Sequence, residues 1–115
     1  MSSQQVDRLV RGAELLISDG DYSGYRLASW IAFILTESST LDIETRMRLA
    51  RVAGDAGELG DTSLAVIAAR VIDPTLRAAT ADSTDVDIGE LEELNFLRQR
   101  LNVTFARPRI RANDI

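Results

Sequence analysis

The stretch closest to a chemical site is Asp19-Gly20-Asp21-Tyr22-Ser23-Gly24, which matches the first half of a calcium loop, with oxygen donors at positions one, three and five and glycine at six. The second half fails, because Leu27 stands at position nine and Trp30 where the bidentate glutamate belongs. A second candidate is acidic: Asp82, Asp85, Asp87, Glu90, Glu92 and Glu93 follow one another with no basic residue between them. Paired carboxylates hold hard metals or move protons only when burial or coordination shifts their pKa values. Nothing in the local sequence supplies that, and the run reads instead as the cap and first turn of a helix, where the backbone dipole favours negative charge. The third candidate reverses the sign, with Arg98, Arg100, Arg107, Arg109 and Arg111 against Asp114. In an extended backbone Arg107, Arg109 and Arg111 project to one side, and Ala106, Pro108 and Ile110 to the other. Such an arm suits docking on an acidic neighbour; the alternatives are a solvated tail and a nucleic-acid contact.

The remaining repertoire is narrow. The chain has no Cys and no His, and all 13 of its basic residues are Arg. Thiol chemistry, zinc knuckles and a histidine-dependent triad are thereby excluded. No Gly-rich phosphate loop or Gly-x-Ser-x-Gly elbow occurs. The expectation is a protein that is not an enzyme and uses no metal or cofactor. A net charge of -5 disfavours nonspecific attraction of the body to nucleic acid or anionic lipid.

At 115 residues, 45% hydrophobic and 27% charged, the chain reads as one soluble globular domain. Its most apolar stretch, Leu27 to Leu35, is a core helix, too short to cross a bilayer. The first residues lack a basic and then apolar leader pattern, so the expected location is cytoplasmic, or within a larger particle.

Apolar periodicity predicts an all-α fold. A first helix over 3–18 places Val6, Leu9, Val10, Ala13 and Ile17 together, with Ser2 and Gln5 spaced as a capping box. Gly20 stops it, and Asp21 or Ser23 caps a second helix to about Glu37. The inner face of that helix is read as Leu27, Ala28, Ile31, Ile34 and Leu35, with Trp30 and Phe33 on the flank and back. A third helix over 41–57 lines up Ile43, Met47, Ala50 and Gly54, and its small residues allow a close neighbour. Gly60-Asp61 opens a fourth helix over 62–72, with Leu64, Ile67, Ala68 and Val71 inside. Asp73-Pro74 reads as a new cap followed by proline at the first helical position, giving short turns to Ala79. After a loop over 80–87, a last helix from about 87 to 102 stacks Leu91, Leu94, Leu97 and Leu101 and leaves Phe96 on the other side. Residues 103–115 form the extended basic arm.

A shift of 40 residues aligns Arg8 with Arg48, Leu9 with Leu49, Arg11 with Arg51, Ala13 with Ala53, Gly20 with Gly60, Asp21 with Asp61, Ser23 with Ser63 and Ala28 with Ala68. This internal repeat implies two duplicated helical hairpins, 3–37 and 41–73, each turning on Gly-Asp-x-Ser. The pattern resembles the tetratricopeptide type of helical-hairpin repeat, in which a similar turn joins two helices and small residues mark their crossing. Ala13, Ala53 and Ala65 carry the likeness over about residues 6–73. The resemblance implies a module that binds peptides or partner proteins. Two hairpins plus the last helix form a compact bundle or a short solenoid.

The function expected from these features is a non-enzymatic interaction or assembly subunit, such as a connector in a virion or other large assembly. It self-associates or holds a protein partner through helical faces and the arginine arm. Its contact residues are expected to include Trp30, Phe33 and Phe96, which helical geometry turns off the best core faces, together with Arg107, Arg109 and Arg111. A small nucleic-acid-binding regulator using the arginine-rich C-terminus is the alternative.

Overall fold

The computed structural model describes residues 2–81 and 86–101. They form five helices, α1 Ser3–Asp19, α2 Tyr22–Ser38, α3 Ile43–Leu59, α4 Thr62–Ala81 and α5 Ile88–Arg100, with no strand among the described residues. The acidic residues Asp82 and Asp85 and the arm over 103–115 lie outside the described residues.

Local chemistry sets the helix starts. Ser2 and Gln5 form the reciprocal capping box of α1, and the carboxylates of Asp21, Asp42 and Asp87 accept the free amides of Ser23, Thr45 and Gly89. Gly20 ends α1 in the left-handed region at φ 76, which glycine adopts without the penalty a Cβ brings. The second turn uses its glycine differently. Gly60 has a φ of -96, and a Cβ there would lie 2.8 Å from the Ala56 carbonyl oxygen and collide with Leu64. A left-handed stop is therefore the role of Gly20 alone; Gly60 is required by close approach.

The two hairpins keep the sequence period. Both bounds of α3 fall 40 residues after those of α1, and α4 begins 40 residues after α2. The third helix starts later than expected, at Ile43, because Asp42 sits outside it as cap, and it runs on to Leu59.

The larger correction concerns α4, which does not stop before Pro74 but continues through it to Ala81. A proline inside a helix removes a donor and costs about 3 kcal/mol or more. Burial offsets that cost, since Thr75 and Ala79 are both 0% exposed in the core and the Thr75 hydroxyl donates to the Val71 carbonyl at 2.9 Å. Asp73 is not a cap; its carboxylate accepts Arg98 Nε of α5 at 2.7 Å. The second hairpin therefore spans 43–81 and not 41–73.

The third helix is the hub of the fold and packs on all four others, whereas α1 packs on α2 and α3. Its small residues make this possible. A Cβ at Gly57 would lie 3.1 Å from the Ala65 Cα of α4, and one at Gly54 would collide with Leu97 of α5. Leu94, Leu97 and Leu101 are buried there, as their spacing predicts, and Phe96 faces out at 63% exposure. Ion pairs bind the layers at their rims: Arg48 reaches Glu14 at 2.7 Å and Asp7 at 3.2 Å, Arg51 reaches Glu93 at 2.8 Å, and Arg100 pairs with Glu58.

Candidate functional site

The second helix is packed with its small side inward. Gly24, Ala28, Ser29, Ala32, Leu35 and Thr36 are buried. A Cβ added at Gly24 would lie 3.0 Å from the Leu16 carbonyl oxygen of α1, so the two backbones approach closely where the residue is smallest. The consequence is on the other side, where Leu27, Trp30 and Ile34 are 53%, 43% and 55% exposed. At 100° per residue these three fall on one stripe of the helix. Expecting Leu27 and Ile34 on the inner face was wrong; they belong to the outer stripe, and Ile31 between them is half-buried. Size decides this, because a crossing as close as that at Gly24 has no room for leucine or isoleucine.

The expected aromatic residues fall in two places. Trp30 and Phe33 come together, their rings edge to face with centroids 5.9 Å apart and an interplanar angle of 83°. Phe33 is half-buried against the core and, with Pro74 and Ala69, lines a groove on the α4 side. It supports the stripe from beneath, and Trp30 presents the surface. Phe96 lies elsewhere, on α5 in a groove with Arg51, Asp55, Glu93 and Arg100. Burial pushes the Asp55 carboxyl above the usual range, partly opposed by the neighbouring Arg51. Arg107, Arg109 and Arg111 lie outside the described residues.

The stripe on α2 has a charged border. Arg26 and Glu37 are both exposed and about three turns apart, so both lie along the flank on which Trp30 sits. Neither takes part in any of the ion pairs among the described residues. The stripe therefore begins beside a cation and ends beside an anion.

The groups that resembled chemistry in the sequence have structural roles. Asp21 is occupied in capping Ser23, at 3.1 Å. Asp61 accepts the Tyr22 hydroxyl at 2.6 Å, the Ser63 hydroxyl at 2.7 Å and the Leu64 amide at 3.2 Å, and these donors hold its carboxyl down at about 2. The same bond raises the Tyr22 phenol, since ionising it would set two anions side by side. Arg48, held by Glu14 and then Asp7, is shifted further above its already high value. It borders a depression of about 450 Å³ that is lined by Ser3, Asp7, Ser38, Asp42 and Thr45 among others. Among the described residues no group of three or more His, Cys, Asp or Glu is placed to hold a metal, and no helix is long and apolar enough to cross a membrane.

Comparison with protein families, with curated proteins and with solved structures gives no match to this chain.

Proposed function

We propose that this chain is a protein–protein interaction or assembly subunit, without catalysis of its own, that docks through the outer stripe of α2. One observation carries the reading: Ala28, Ser29 and Ala32 are 0% exposed while Leu27, Trp30 and Ile34 of the same helix stand about half in water. A fold that only needed stability would bury the large residues, each worth about 1.5–3 kcal/mol when fully covered. Leaving a tryptophan flanked by two aliphatic side chains at the surface is the composition of a binding hot spot. The arginines at 107, 109 and 111 extend the same reading as an auxiliary arm for an acidic neighbour.

The test is the double variant Leu27→Glu, Ile34→Glu in the full chain. It keeps the wild-type helical signal and melts within about 1 kcal/mol of it, as a surface change does. It also loses association, whether with itself or with another protein, followed as particle mass by light scattering. Unfolding of this variant would show that both side chains belong to the core and would end the reading.

A further inference from the structure

We infer that the occupant of the α2 stripe is the α2 stripe of a second copy of this chain, the two helices running antiparallel about a two-fold axis near Ile31. The inference rests on the docking reading above and adds the partner and the register.

A two-fold interface requires a patch to be its own complement. This stripe meets that condition in shape and in charge. An axis between Trp30 and Ile31 carries Leu27 of one copy onto Ile34 of the other and sets the two Trp30 rings beside each other at the centre, where a dry aromatic contact contributes most. It leaves the flank of each helix on the same side of the interface, so Arg26 of one copy comes to the height of Glu37 of the other to within about two residues, or 3 Å of helix rise. Two such pairs close the ends of the stripe. A parallel two-fold would instead put the two flanks on opposite sides of the interface, where Arg26 and Glu37 of one copy meet neither residue of the other. Both side chains are exposed and outside the ion pairs of their own copy, and Glu37, which also lines the α4-side groove with Arg70 and Arg77, is bridged to neither. The half-buried Phe33 beneath Trp30 holds that ring edge to face and limits the ordering needed on contact.

The experiment is sedimentation equilibrium of the full chain from about 1 µM to about 1 mM, the span over which a small apolar contact assembles. Wild type shifts from monomer to dimer across it, and Ile34→Glu stays monomeric while melting as wild type does. Arg26→Glu alone and Glu37→Arg alone each weaken the dimer about tenfold, because each places like charges at both ends of the contact. The double variant Arg26→Glu, Glu37→Arg restores the dimer, an outcome that only the antiparallel pairing of these two residues explains. A wild-type chain that is monomeric at every concentration overturns the homodimer; if Ile34→Glu still melts normally, the exposed docking face survives with a different partner. A dimer that withstands Ile34→Glu, or that the double charge reversal fails to restore, overturns the α2 register. Unfolding of Ile34→Glu overturns both the dimer and the docking reading beneath it.

Discussion

Leu9 and Leu49 hold the same place in the first and second hairpins, yet Leu49 is 0% exposed and Leu9 is 38% exposed. The pairs around them diverge in the same direction. Gly12 matches Val52, which is buried, while a Cβ at Gly12 would meet nothing within 4 Å. Trp30 matches Arg70, and Ile34 matches Pro74. Two copies of one local design thus became different objects. The second copy has neighbours on every side: α3 lies among α1, α2, α4 and α5, and α5 packs on both of its helices. The first copy has α3 and α4 on one side and keeps apolar residues on its open side. A repeated sequence therefore specifies the hairpin, and position in the stack decides which of its faces becomes core.

The widest separation between the copies is expected at the aligned leucines. Leu49→Ala should cost about 2–5 kcal/mol by transfer and cavity, whereas Leu9→Ala should stay below about 1 kcal/mol. Chemical denaturation of both variants measures the difference, and equal losses would mean that the first copy is covered as fully as the second.

Next come the glycines, where the same substitution should change sign. Gly54→Ala drives a methyl into Leu97, whose Cγ would be only 2.7 Å away, and should destabilise by about 1–2 kcal/mol despite the better helix propensity of alanine. Gly12→Ala adds its methyl to open space within a helix and should stabilise by about 0.5–1 kcal/mol. Thermal melts decide it, and a loss at Gly12 would reveal a neighbour on the open face.

A smaller effect sharpens the contrast between the two sides of α2. The Ser29 hydroxyl is buried without a hydrogen-bond partner among the described residues. Ser29→Ala removes that unsatisfied group and should stabilise by about 1 kcal/mol. If it destabilises, the hydroxyl is bonded and the inner face is more polar than its packing implies.

The smallest effect belongs to the turns, through acid. Tyr22 and Ser63 hold Asp61 at about 2 against an ordinary 3.8, a depressed carboxylate whose stabilisation is present above pH 3.8 and is lost as pH falls through about 2. Tyr22→Phe removes the first of those donors, so the Asp61 midpoint, followed by carbon-detected NMR titration, should rise, and the acid loss of stability, still beginning below pH 3.8, should be smaller and complete at higher pH. An unchanged midpoint would remove the Tyr22 bond as the link between the two turns.

Much of this molecule was legible without coordinates. Ser2, Gly20, Asp21, Asp61 and Asp87 mark helix ends through bonds made within a few residues, so their roles follow from spacing. The leucine face of α5 and the 40-residue period follow likewise, because helical geometry turns spacing into a shared side. Pro74 was misleading because local rules register the donor that a proline lacks and not the core that Thr75 and Ala79 enter. The outer stripe of α2 was half legible. Trp30 was expected at the surface, but Leu27 and Ile34 were assigned inward by hydrophobicity. The overlooked signal was the line of Gly24, Ala28 and Ala32, whose spacing of four residues marks a face made for close approach. The amino-acid sequence determined five helices, their caps and a duplicated hairpin, since those depend on contacts near in the chain. Only the tertiary structure decided which side of α2 faces water, because that depends on how closely α1, α3 and α4 crowd it, and crowding is set by contacts between residues far apart in sequence.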